Sequence, residues 1–167
     1  MIKDTWAVLS VDELTFSPEL LECCKSNACG NYNKSWSCPP ACGTIEEQRK
    51  KILSFKKVFV FSTIHDIEDS FDYEGMARGR ELHAILTFEI KNTFGDVLIY
   101  GAGSCPVCKD KEGKDACAFP KPCRFPDQKI NSLEAAGIDV AELCKTAGLK
   151  YNNGPNTVTF FSIVLLP

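Results

Sequence analysis

The apolar positions change period several times along the chain, and each change marks an element. In "KKVFVFSTI" residues 58 to 61 are apolar without a break, as in a central strand buried on both faces. "DVLIYGAG" (96–103) reads as a second buried strand, and "NTVTFFSIVLL" (156–166) as a final one. "TWAVLSVDELTF" (5–16) predicts an early strand. Between the first two buried strands a long helix is expected over about 70–93, with Leu82, Ile85, Leu86 and Ile90 at helical spacing.

Helix boundaries come from caps. Ser17-Pro18-Glu19 places an N-cap, a first-turn proline and an acid together, and the short helix they open delivers Cys23 and Cys24 at its end. Thr44 with Glu47 is a capping box opening a helix to about Phe55. Asn131 or Ser132 starts a helix that Gly137 ends, and Asp139 with Glu142 opens one closed by Gly148. The strand-helix-strand order predicts a βαβ unit with a parallel pair. The expectation is a single α/β or α+β domain over 1–167, a small mixed sheet of about three to five strands flanked by helices, with two cysteine-rich metal-binding loops at strand and helix ends.

Composition narrows the class. The chain has 167 residues, 44% hydrophobic and 25% charged, enough for a real core. A formal charge of −3 gives no basic face for nucleic acid. "MIKDTWAVLS" lacks the pattern of a secretory leader, and the apolar "FFSIVLLP" is too short to cross a bilayer. The expected setting is cytoplasmic, with neither membrane nor nucleic acid as a partner.

Ten cysteines are the anomaly. The cytosol keeps thiols reduced, and cysteines bunched at short spacing there are more often metal ligands than disulfides. One group, Cys24, Cys29, Cys38 and Cys42, is spaced C-x4-C-x8-C-x3-C. The other, Cys105, Cys108, Cys117 and Cys123, is spaced C-x2-C-x8-C-x5-C. Structural zinc sites usually pair two short knuckles. The uneven gaps here suit a 4Fe-4S cluster, whose corners lie further apart than the ligands of one ion. Gly-rich "YGAGSC" and "ACG" offer backbone N–H donors to anionic sulfur, and Cys42 lies just ahead of the helix capped by Thr44.

The remaining candidates read as structural. Cys144, within a helix and remote from both groups, is expected in the core. Adjacent Cys23 and Cys24 do not serve one cluster together, so Cys23 is core or spare. His65 and His83 read as core or surface histidines. Tyr32 and Trp36 are expected to shield a metal site. "KDKEGKD" (109–115) reads as a solvated loop tip; Lys109, Lys111, Lys114, Lys121 and Arg124 make the second cysteine loop locally basic. The chain carries no nucleotide, zincin or hydrolase motif, so no catalytic set is assigned.

"YNKSWSCPPACGTIEE" and "PCRFPDQKINSLEAAGIDV" resemble DUF2284, a family of predicted metal-binding proteins. The first shared motif falls on Cys24, Cys29, Tyr32, Trp36, Cys38, Pro39 and Pro40. The second falls on Cys105, Cys108, Cys117, Cys123, Arg124 and Pro126, with its tail on Ser132, Glu134 and Gly137 to Val140. Phe125 stands where the pattern expects histidine. Position 42 lies outside the pattern, so the fourth ligand of the first group is Cys42 or Cys23, or the iron there is open. The resemblance implies cysteine-bound metal and no settled reaction.

Three functional expectations follow. The first is an iron-sulfur protein with one or two 4Fe-4S clusters that passes electrons or services a protein redox partner. The second is a zinc-stabilised interaction module. The third is an enzyme with a reactive thiol at Cys42 or Cys23.

Overall fold

Alternation along two long strands builds the centre of the molecule. The computed structural model describes residues 3–95, 97–108 and 116–167. Strands β2 (Lys57–Asp66) and β5 (Thr157–Leu166) pair antiparallel along ten residues, placing Val60 opposite Ile163 and Val58 opposite Leu165. Val58, Val60, Phe161, Ile163 and Leu165 enter one apolar core, while Phe61 and Val164 enter the other. Both faces are therefore covered, which is why these strands carry continuous apolar runs.

The sheet has the order β1-β2-β5-β3-β4, with β1 at Lys3–Ser10, β3 at Leu98–Gly101 and β4 at Asn131–Ser132. It is mixed: β1, β2, β5 and β3 pair antiparallel, and β3 with β4 parallel. The expected βαβ unit is present, but its two strands are not neighbours. Strand β5 lies between β2 and β3 and runs antiparallel to each. A C-terminal strand inserted this way is invisible to a reading of consecutive elements.

Helices cover both faces. Helix α3 (Tyr73–Phe94) lies against β2 and β5 on one side. On the other, Ile52 of α2 (Ile45–Ile52) and Leu143 and Cys144 of α4 (Val140–Ala147) join the core with Leu9, Val11 and Val58. Two capping signals hold: Thr44 and Glu47 form a reciprocal box, and Asp139 accepts from the N–H groups of Ala141 and Glu142; Ser17 does not cap, since α1 begins at Leu20 with Glu19 before it and no side-chain cap bond. Helix α1 (Leu20–Lys25) is short and carries Cys23 and Cys24 near its end. Cys144 is buried in the core.

Three expectations are corrected. The helix over 131–137 is a two-residue strand followed by one 3-10 turn at Glu134–Ala136, because Asn131 and Ser132 pair with Tyr100 and Gly101. The apolar face expected on α3 is only half there: Leu86 and Ile90 pack with Phe88 against the second core, Leu82 and Ile85 are exposed, and the fully buried positions are Gly75, Gly79, His83 and Thr87. The mixed sheet flanked by helices stands, but the two cysteine-rich metal-binding loops do not. Among the described residues no group of three or more His, Cys, Asp or Glu side chains is placed to hold a metal ion.

Among the described residues no helix is long and apolar enough to cross a membrane. The "KDKEGKD" segment, with Lys109, Lys111 and Lys114, lies outside the described residues.

Candidate functional site

The first cysteine group walls a cavity. Helix α1 supplies Cys23 and Cys24, the turn after it Cys29 and Tyr32, and the following loop Cys38 and Pro39. Gly103 and Ser104, beyond the end of β3, and Ser132 and Glu134, from β4 and the turn after it, close the other side. The pocket is open to solvent on one side and has a volume of about 310 Å³. The Ser132 hydroxyl donates to Glu134 Oε2 at 2.7 Å, which fixes that carboxyl group in the wall. Behind the wall, Arg80 Nη2 donates to Ser104 Oγ at 2.9 Å and to its carbonyl at 3.1 Å.

Burial sets the state of these sulfurs. The Cys24 thiol is pushed up to about 11, first by burial and then by Glu134, Cys29, Cys42 and Cys23. Cys38 also rises to about 11 through burial, against a lowering hydrogen bond from Ser37, with Cys29, Cys42 and Cys24 adding to the rise. Both are neutral thiols near neutral pH. Cys42 is raised by burial, opposed by Gln48 and Lys129.

The "SWSC" segment at 35–38 ties the two cysteine groups together. The Cys105 N–H donates to Ser37 Oγ at 2.8 Å, and Ser35 Oγ lies 2.8 Å from Ser37 Oγ. Trp36 Nε1 donates to the Lys121 carbonyl at 2.8 Å, and its ring meets Phe119 edge-on at 5.2 Å. Cys105 is raised by burial, opposed by the N–H groups of Ile130 and Val107, with Cys108 and Cys123 adding to the rise. Burial would also raise Cys117, but the N–H groups of Phe119 and Trp36, the Ser35 hydroxyl and Arg124 outweigh it and bring this thiol below its ordinary value.

The structure thus brings Cys24, Cys29 and Cys38 to one place without converging them on a point. They line the walls of an open volume, with Cys23 rather than Cys42 as their companion. Cys42 stays close enough to Cys24 and Cys38 to raise both, but its sulfur lies 3.6 Å from the Gly43 carbonyl, accepts from Gln48 Nε2 at 3.5 Å, and lines a different cleft. In the second group Cys117 is held against Ser35, Trp36 and Phe119, while Cys105 packs under Ile130. No set of ligands for a 4Fe-4S cluster or a zinc ion exists among the described residues, and both cofactor expectations are corrected on that geometry. The expectation of an iron-sulfur electron-transfer protein, and of a zinc module, falls with them.

Tyr32 lines the cavity, and Trp36 joins loops rather than shielding metal. The sequence marks Ser132 as a possible helix start and, with Glu134, as part of a shared motif, and gives Ser35, Ser37 and Gln48 no part. The sole signal for the serines was their interleaving with Trp36 and Cys38.

Fold and site together define a mixed-sheet protein, helices on both faces, with a thiol-walled cavity beyond one end of its sheet. The chain belongs to the DUF2284 family, described as "Predicted metal-binding protein", whose model matches residues 7–166. The described side chains do not fit the metal in that description. No curated protein and no solved structure matches the chain.

Proposed function

We propose that the protein binds a small, largely apolar molecule in the cavity walled by Cys23, Cys24, Cys29 and Cys38. The observation that carries this reading is an open pocket of about 310 Å³ with soft sulfur walls and one carboxyl group held in place by Ser132. That size is at the lower end for small-molecule sites, which are mostly apolar with few fixed polar groups. Neutral thiols at Cys24 and Cys38 behave as polarizable apolar surface, and Glu134 selects a ligand that presents a hydrogen-bond donor. The whole chain acts as one domain in this reading. A cytoplasmic setting and a protein redox partner belong to it as well, since walls of this kind work only while the thiols stay reduced.

Benzamidine, an apolar ring with a donor head, tests the proposal. Titrated into reduced, ¹⁵N-labelled protein, it is expected to shift the amide signals of Cys29, Tyr32, Gly103 and Glu134 saturably. Ala28→Trp, from an exposed position on the cavity rim, fills the volume and abolishes those shifts. Shifts scattered over the surface, or unchanged in Ala28→Trp, overturn the reading.

A further inference from the structure

The sheet ends on β1, which pairs with β2 on one side and has no strand on its other side among the described residues. Its pairing with β2 runs without a bulge from Lys3 to Ser10, and its middle, Thr5 to Leu9, holds neither proline nor charge. Bulges, prolines and charges are the usual means of blunting the exposed edge of a sheet. The Val11 N–H donates to the Lys56 carbonyl at 3.1 Å, on the side of β2. By strand alternation, Trp6 and Val8 turn their own N–H and C=O groups to the open edge. The Ser10 N–H is taken by Glu13 Oε2 at 2.7 Å, so the stretch left open ends before Ser10.

The same two residues carry the exposed apolar side chains of this strand: Trp6 is 65% and Val8 49% exposed. They end an aromatic series that starts under α3. Phe61 stacks on His83 at 5.3 Å, Phe59 lies 5.9 Å from Phe61, and Trp6 lies 5.9 Å from Phe59. The apolar surface of this face thus continues past the helix to the edge of the sheet. Opposite charges flank it at the two ends of the β1-β2 ribbon: Asp4, exposed and paired with Thr63, and Lys57, exposed and paired with Ser10. Six residues of strand, about 20 Å, keep these two apart within one chain.

We propose that β1 pairs antiparallel with β1 of a second copy across a two-fold axis at Ala7, joining two five-stranded sheets into one. Trp6 then lies opposite Val8 of the second copy, and the two exchange both backbone bonds. The row across the joint reads Phe61, Trp6, then Val8 and Phe59 of the second copy. An aromatic side chain beside a β-branched one is a favourable cross-strand pair. The next row outward sets Asp4 beside Ser10 of the second copy, with Lys57 of the second copy beyond it. Two strand spacings separate these charges by about 10 Å at Cα, within reach of a lysine side chain. The contact is isologous, so every pair is made twice. Neighbouring registers lose this match: centred on Trp6 the pairing sets Val8 against Asp4, and centred on Val8 it sets Trp6 against Ser10. No residue of β1 lines the thiol-walled pocket, so this proposal and that one stand or fall separately.

Light scattering after gel filtration of the full reduced chain decides it. At about 100 μM the mass is expected at twice the 18.5 kDa of one chain. Trp6→Lys, at an exposed position, is expected to keep the far-UV circular dichroism and to raise the dimer Kd about tenfold or more. Asp4→Lys and Lys57→Asp are each expected to weaken the dimer about threefold or more, and the chain carrying both to regain most of the wild-type affinity. Asp4 and Lys57 cannot meet within one chain, so that rescue reports a contact between copies. A chain that is monomeric at this concentration leaves the edge to a strand of another protein and overturns the proposal. So does a Trp6→Lys chain that dimerises as the wild type does, or a double swap no better than the single changes. Should Trp6→Lys fail to fold, the charge swap still decides.

Discussion

His83 Nε2 lies 2.8 Å from Ser162 Oγ, joining the middle of α3 to the middle of β5 inside the protein. On the other ring nitrogen, Nδ1 lies 2.9 Å from Thr63 Oγ1, which in turn lies 2.8 Å from His65 Nε2. Both histidines, Thr63 and Ser162 are buried. Hydroxyls both donate and accept, so this chain is satisfied with neutral rings as long as at least one of the two nitrogens facing Thr63 carries a proton, because that hydroxyl has a single hydrogen to give. It fills the part of the interface that Leu86, Phe88 and Ile90 of α3 leave to polar side chains.

That network makes stability depend on pH. Burial, followed by the neighbouring His65, holds His83 down at about 4. In the unfolded chain it titrates near 6.5. Stability from the neutral ring is complete above about pH 6.5 and is lost as pH falls toward 4, because the unfolded chain then takes up a proton that the folded one refuses. Urea unfolding at pH 7 and pH 5 checks this. Wild type is expected to lose about 2 kcal/mol more over that interval than His83→Gln, which has no proton to gain. Equal losses would show that His83 is charged in the folded protein.

Gly79 permits the approach of α3 to β2. A Cβ at that position would stand 2.9 Å from His65 Cγ, within the body of a ring held by Thr63. Gly→Ala in a free helix gains up to about 1 kcal/mol, so the sign of the change is diagnostic. Gly79→Ala is expected to destabilise by about 1–3 kcal/mol through overpacking. Gly95→Ala is no equivalent control, since its φ of +75° is strained for any side chain. Thermal unfolding of Gly79→Ala alone suffices, and a raised melting temperature would refute the close contact.

The joint between the cysteine groups rests on Ser37, which is fully buried. Its hydroxyl accepts from the Cys105 N–H and bonds to Ser35 Oγ. Ser37→Ala leaves that amide unpaired and is expected to cost about 1–3 kcal/mol. Hydrogen exchange gives the specific readout. The Cys105 amide should lose protection more than the amides of β2 or β5, whereas a uniform loss would mean that the joint is not local.

Much of this architecture is legible in the sequence, and the failures share one physical cause. The apolar runs at 58–61 and 163–166 mark strands buried on both faces, and Thr44 and Asp139 announce their helices through local caps. What fails depends on non-local pairing. Insertion of β5 between β2 and β3 leaves no local trace, and the pairing of Asn131 with Tyr100 overrides the helical pattern after it. Helix α3 misleads at Leu82 and Ile85 because glycine, histidine and threonine bury much of its face through close approach and hydrogen bonds, leaving only Leu86, Phe88 and Ile90 to add apolar area. The cysteine spacings show which thiols become neighbours on short loops. They carry nothing about where each sulfur points, and Cys42, though near enough to raise Cys24 and Cys38, lines a different cleft.

The same directional difference predicts which thiol reacts first. A thiolate, not a thiol, is the nucleophile, so reactivity near neutral pH follows the environment that favours the anion. Cys117 receives hydrogen bonds from the Phe119 and Trp36 N–H groups and the Ser35 hydroxyl beside Arg124, and is half-buried rather than enclosed. Cys24, Cys38 and Cys144 are each pushed up to about 11, chiefly by burial. Brief treatment of reduced protein with iodoacetamide at pH 7, read by peptide mass spectrometry, should label Cys117 well before those three. Arg124→Gln and Ser35→Ala should each slow the Cys117 reaction by weakening the support of its anion. Labelling of Cys38 as fast as Cys117 would mean that burial, not hydrogen bonding, is misjudged at this joint.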